Sequence, residues 1–219
     1  MAQLELIIGN KAYSGWSMRP WLALRHARAE FRETRVPLYI PGYKGKVLEH
    51  SPSGKVPALK HGAVTLWDSL AICEYLAELF PAAKLWPPEP ADRATARSVS
   101  AEMHSGFTGI RGALPFNCRA QGRRVALTAP VDAEIGRVQA LWRNCRQQHA
   151  VMGPWLFGAF TNADAMFIPM ALRFATYGIA LGTVERAYLD TILAHPPVQE
   201  WIAAARQERE VMDDNEVGK

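Results

Sequence analysis

Cysteine is scarce in this chain. Three residues, Cys73, Cys118 and Cys145, make an odd count with no C-x-x-C spacing. That excludes a disulfide framework and a zinc ribbon, and it suits a reducing, cytoplasmic setting. Long apolar runs are missing too: none approaches the ~18–20 residues that span a bilayer, so no membrane association is expected. The opening Met1–Gly9 has no basic segment ahead of its apolar residues, so it reads as a first strand rather than a leader. Charge of one sign is not concentrated. The net charge of +4 is scattered, and no nucleic-acid motif accompanies it. His26, His50 and His149 lack ligand spacing, so no metal site is expected. Internal repeats and low-complexity segments are absent. What remains is a globular chain with 49% hydrophobic residues, long enough to bury a substantial core.

The first third alternates strand and helix patterns. Leu4–Ile8 is a short apolar run closed by Gly9-Asn10. The stretch 17–28 places Met18, Trp21, Leu22 and Leu24 at near-helical spacing, with Pro20 tolerable only in a first turn. Thr34–Ile40 reads as a second strand. A loop lies between Pro41-Gly42 and Ser51-Pro52-Ser53-Gly54. Strands at 58–60 and 63–67 flank the turn His61-Gly62. A one-face helix with Ile72, Tyr75, Leu76 and Leu79 then covers 68–80. This β-α-β, loop, β-β-α order is a thioredoxin-like α/β arrangement. Pro81, Pro87, Pro88 and Pro90 mark a linker. The remainder reads all-α: 91 towards 110, weakened at Gly106, Gly109 and Gly112 and broken at Pro115; 131–151; a helix opened by the Thr161-Asn-Ala-Asp164 box; and two shorter helices near 184–193 and 198–206. The tail 213–219 is expected to fray. The domains are therefore 1–80, a linker at 81–90, and 91–219.

Three segments carry possible chemistry. In Ser53-Gly-Lys-Val-Pro-Ala-Leu59, a cis Val56-Pro57 bond would turn the Val56 N–H and C=O outward for an extended peptide to pair with; a trans proline opening an edge strand is the plain alternative. Asp68-Ser69 is a helix start. It is either a simple cap or a receptor in which free N–H groups take a carboxylate and Asp68 takes an ammonium. In Ser14-Gly-Trp16-Ser17-Met-Arg19-Pro20 a hydroxyl sits at a positive helix end, where a bound thiolate would be stabilised. Tyr13 is a competing donor one residue back, and Ser17 reads better as a cap than as the donor. Arg19, in the first turn, is placed to pair with an acid or to carry ligand charge. A small peptide with an amine and a carboxylate at one end and a thiol in the middle suits all three segments. Glutathione is such a peptide.

Together these segments resemble the glutathione transferase family over nearly the whole chain. The resemblance rests on Ser14-x-x-Ser17-x-Arg19-Pro20, Ser53–Leu59, Trp67-Asp68-Ser69-Leu-Ala-Ile-Cys-Glu-Tyr-Leu76, the proline linker and the Thr161–Asp164 box. It is strongest towards bacterial serine-type enzymes related to the zeta class. The resemblance implies that Ser14, with Arg19 five residues on, activates the thiol. It implies that Val56 binds the cysteinyl backbone, that Asp68 and Ser69 bind the γ-glutamyl end, and that Lys55, and less directly Lys44, meets the glycyl carboxylate. It also implies glutathione as co-substrate without a metal, a small electrophile as second substrate, detoxification chemistry and a homodimer. The chain departs from the pattern at Asp68, where the family often carries Glu, and at Trp16, where the zeta pattern often carries cysteine. The latter argues against maleylacetoacetate isomerisation and against cysteine-based thiol transfer. The electrophile is expected against Trp16, His104 and Arg111, with Phe107, Phe116, Asn117 and Arg119 as further candidates; two arginines there would favour an anionic co-substrate.

Overall fold

A computed structural model describes residues 3–219. Four strands, β1 (Leu4–Ile8), β2 (Phe31–Arg35), β3 (Ala58–His61) and β4 (Val64–Trp67), form one sheet in the order β2-β1-β3-β4. β1 runs parallel to β2 and antiparallel to β3, and β3 and β4 are a hairpin. α1 (Gly15–His26) is the crossover between the parallel pair, α2 (Tyr43–Leu48) precedes β3, and α3 (Ser69–Leu79) follows β4. The sheet is therefore mixed and thioredoxin-like, as its sequence order implied.

Six helices follow: α4 (Pro90–Ser105), α5 (Thr108–Ala113), α6 (Ala129–His149), α7 (Asn162–Thr176), α8 (Thr183–Ala194) and α9 (Pro196–Gln207). α7 is apolar on nearly every face and almost wholly buried, which makes it the central helix. It packs against α1 and α4 and so joins the helical half to the sheet half. Asn162 strengthens the junction: its backbone N–H donates to Leu85 O at 2.8 Å and its Nδ2 to Cys73 O at 2.9 Å. None of the described helices is long and apolar enough to cross a membrane.

Four expectations are corrected. The second strand is 31–35 rather than 34–40, because Pro37 has no N–H to give a ladder; only Val36 extends the pairing, donating to Ile8 O. The presumed loop after Gly42 contains the short α2, whose entry is Gly42 at φ 79°, a conformation glycine adopts without strain. The long 91–110 pattern ends at Ser105, where Phe107 turns left-handed (φ 60°) before α5. The tail does not fray. Glu216 accepts from Tyr13 Oη at 2.8 Å and Asn117 Nδ2 at 2.8 Å, and it is ion-paired with Arg123. Upstream, the Glu208 carboxylate accepts the backbone N–H groups of Lys11 (2.7 Å) and Ala12 (2.9 Å).

His195, between α8 and α9, lies edge-on to Trp155 and stacked on Phe160, with Nε2 buried and unpartnered. Burial, and then the neighbouring His26, push its imidazole from 6.5 down to about 4. The unfolded chain then binds more protons than the folded one between these values. The stability this group contributes is full above its unfolded value and is lost as pH falls towards the folded one. Discounted for partial exposure, the loss is roughly 1–2 kcal/mol. Urea midpoints measured near neutrality and at about pH 4.5 should fall further for wild type than for His195→Gln; equal falls would remove His195 from the account.

Candidate active site

The site is built where β1 ends. Asn10 is fully buried. Its carbonyl accepts the N–H groups of Tyr13 (3.1 Å) and Ser14 (2.8 Å), and its Oδ1 accepts Leu38 N–H at 2.8 Å. This folds the chain back so that Ser14 caps α1, accepting Ser17 N–H at 3.3 Å. Ser14, not Ser17, is the cap. Ser17 lies one turn in, its Oγ accepting Gly9 N–H (3.1 Å) and the Ser14 hydroxyl (2.8 Å). Gly15 lets this corner sit tightly: a Cβ there would stand 2.9 Å from Pro169 Cβ on α7 and 3.2 Å from the Phe116 ring. The Ser14 hydroxyl is thus held at the positive end of α1 by backbone on one side and α7 on the other. Tyr13, the competing donor, has its hydroxyl engaged by Glu216 and Arg119.

Asp68 stands at φ 76°, ψ 130°, a conformation costly for a residue with a side chain and typical of functional sites. Its Oδ1 accepts the N–H groups of Leu70 (2.9 Å) and Ala71 (3.2 Å), capping α3. Its Oδ2 meets His104 Nε2 at 3.0 Å, a contact from the helical half. Burial lowers the His104 imidazole pKa, and Asp68 partly offsets this while Arg19 and Arg111 add to it. Ser69 is buried and accepts Arg19 Nη1 at 3.3 Å. The Val56-Pro57 bond is cis. Among the described residues neither the N–H nor the C=O of Val56 meets a partner.

Two adjoining cavities, of about 550 and 630 Å³, share Trp16, Lys55 and Val56. The second holds Asp68, Ser69, Pro57 and His104. The first holds Ser14, Lys44, Phe116 and Arg111, and with them Arg173, Tyr39 and Met212, none of which sequence patterns singled out. Arg173 had one signal: it is the single charged residue in the apolar run 165–174. Trp16, 37% exposed, has the Arg19 guanidinium 4.3 Å from its ring centroid and that of Arg111 at 4.6 Å, with the His104 ring edge-on. Trp16, His104 and Arg111 are therefore brought together. Asn117 and Arg119 are not; they hold the C-terminal segment, Arg119 donating to the carbonyls of Glu208 and Glu210. Phe107 is buried at the α4–α5 corner.

Arg19 is 1% exposed. Burial, then Arg111 and Arg173, hold its guanidinium pKa well below the usual range, and its Nε has no partner. Cys73 and Cys118 are pushed up to about 12 and Cys145 to about 11, chiefly by burial. None of the three is a thiolate near neutrality, so a nucleophilic sulfur at this cleft has to arrive with a ligand. No cluster that could hold a metal ion is found among the described residues.

Residues 13–79, which carry Ser14, the Val56 edge and the Asp68-Ser69 corner, match the family described as Glutathione S-transferase, N-terminal domain. That match covers about a third of the chain, within its sheet-bearing part. Curated relatives align with this chain over partial lengths. A probable maleylacetoacetate isomerase of Caenorhabditis elegans is 37% identical over 92 residues, 42% of each chain. The maleylacetoacetate isomerase of Rattus norvegicus is 45% identical over 61 residues, 28% of each. The chain thus spans less than half the length of the curated relatives it matches. Among solved structures, a Burkholderia glutathione transferase homolog with bound glutathione aligns with a TM-score of 0.72 at 24% identity, covering 94% of this chain and 100% of that one. Glutathione transferase F2 of Populus trichocarpa gives 0.71 at 18%, with coverage of 94% and 100%. These last two likenesses establish the fold over both halves.

Proposed function

We propose that this protein binds glutathione and activates its thiol for attack on a small electrophile, as a serine-type glutathione transferase. One observation carries the reading: the Ser14 hydroxyl at the start of α1, the bare backbone of Val56 and the Asp68-Ser69 corner all face one pair of joined cavities. Residues 1–80 supply the glutathione subsites and 91–219 supply the wall for the second substrate, with 81–90 between them. Ser69 and the N–H groups at the start of α3 receive the γ-glutamyl carboxylate. Asp68 receives the ammonium, Val56 the cysteinyl backbone, and Lys55 with Lys44 the glycyl carboxylate. Ser14 turns its hydroxyl proton from Ser17 Oγ to the thiolate. The α1 dipole and the buried Arg19 charge favour that thiolate over the thiol. Catalysis is then thiol activation and positioning. A cytoplasmic homodimer acting in detoxification accompanies this reading.

Glutathione-dependent isomerisation is the second reading, supported by the names of the curated relatives. It uses the same glutathione contacts and differs in the electrophile. A non-catalytic relative that binds a protein or hydrophobic ligand is the alternative of another class; the presence of Ser14, Asp68 and Ser69 weighs against it.

Calorimetric titration with glutathione tests the reading. Asp68→Asn keeps an oxygen to cap α3 but removes the charge, and it should weaken binding by about tenfold. No heat in the millimolar range with wild type would overturn the glutathione assignment and leave the partner-binding alternative.

A further inference from the structure

Arg111 and Arg173 are left unused by the glutathione subsites. Both line the cavity that holds Ser14, yet among the described residues no carboxylate lies within ion-pair distance of Arg19, Arg111 or Arg173. By contrast, Arg123, nearby in sequence, is paired with Glu216. Their own contacts are with main-chain carbonyls: Arg111 donates to Gly106 O and Met103 O, and Arg173 to Leu114 O and Pro169 O. Carbonyls orient a guanidinium without neutralising it. The charges also oppose one another, Arg111 depressing both Arg19 and Arg173; Glu134 favours the Arg111 charge and Asp68 that of Arg19, each from beyond ion-pair distance. Unpaired cations beside apolar walls are costly unless an anion joins them. The walls here are flat and aromatic, Trp16 lying under the Arg111 guanidinium and Phe116 under that of Arg173 at 5.3 Å.

We infer that the second substrate is a flat electrophile ending in a carboxylate, which Arg111 and Arg173 hold while its body lies along Trp16 and Phe116. As a statement about the second substrate this rests on the glutathione reading; as a binding subsite it is testable without glutathione.

The probes are nitrobenzoate and its uncharged methyl ester, titrated into the full chain without glutathione. The acid is expected to bind at least about tenfold more tightly. Arg111→Met and Arg173→Met should each bring that ratio towards one. A wild-type protein that takes the ester as well as the acid overturns the proposal, and that comparison needs no variant to fold. A preference retained in both variants overturns the assignment to these arginines. Titration with glutathione is read separately. If glutathione fails while the acid preference stands, only the thiol reading falls; if the preference fails while glutathione binds, only this proposal falls. Turnover extends the test with chloronitrobenzoate and its methyl ester. The glutathione sulfur bonds to the ring carbon bearing chlorine, the C–Cl bond breaks, chloride leaves with the bonding pair, and the thiol proton passes to solvent. The ester is the more reactive compound in solution, so a higher kcat/KM for the acid reports recognition of its charge. A ratio below one in the enzyme counts against the proposal.

Discussion

Ser14→Ala is expected to lower turnover of a neutral aryl halide by about 10²-fold, the usual effect of deleting one preorganised donor to a developing or stabilised anion. Glutathione affinity should change little, because in the proposed binding mode Val56, Asp68, Ser69 and the lysines take the rest of the tripeptide. The pH–rate profile is the sharper readout. With the donor gone, the bound thiol should titrate closer to its free value of about 8.5, so the acid limb of the profile moves upward. Residual activity is expected, since the α1 dipole and Arg19 remain. Loss of the cap itself costs about 1 kcal/mol, so a thermal melt separates cap loss from chemistry. A profile that stays in place would hand the role to Ser17, whose Oγ is 2.8 Å from that of Ser14.

The largest loss of stability should come from Asp164→Ala. This carboxylate is fully buried and accepts from Leu156 N–H (3.0 Å), Thr161 N–H (2.8 Å), Thr161 Oγ1 (3.1 Å) and Tyr188 Oη (3.0 Å). Burial pushes the carboxyl up to about 6 against the pull of these donors. Alanine leaves four buried donors without that acceptor and opens the start of α7, for about 3–5 kcal/mol. That is a large part of a typical domain's stability, and Tm should fall by on the order of 10 °C. α7 supports the Ser14 corner through Pro169, so activity should fall with the folded fraction while KM for glutathione in the surviving fraction holds. A melt within a degree or two of wild type would show that the box is dispensable.

Much of this was legible in the residues. The buried strands β1 and β3, the amphipathic α3, the Thr161–Asp164 box and the corners at Ser14, Val56 and Asp68 all depend on local rules of apolar spacing, proline and capping. What was misread depends on distant partners. β2 is an edge strand of Phe-Arg-Glu-Thr-Arg with mostly exposed side chains, so apolar periodicity slid towards 34–40. The α2 helix is six residues long, too short to show a period. The tail, rich in acids, looked solvated because the groups that neutralise Glu216 come from Tyr13, Asn117 and Arg123. The polar, cationic cluster of Asn117 and Arg119 suggests a cleft wall when only the sequence is in view; the segment 208–216 explains it instead. Arg173 is hard to place from the sequence because a single arginine in an apolar helix reveals nothing of its target.

The Glu208 strap also bears on the order of synthesis. The N–H groups of Lys11 and Ala12 belong to the loop that carries Ser14, and their acceptor lies 197 and 196 residues downstream. A nascent chain that has already made its sheet and α7 still lacks that acceptor. The β1–α1 loop therefore completes its hydrogen bonds only once translation has passed residue 208, and Tyr13 gains its anchor only after residue 216. The Ser14 corner is encoded early and assembled late, so a ribosome stalled within α9 would carry Ser14 on a loop not yet fixed in place.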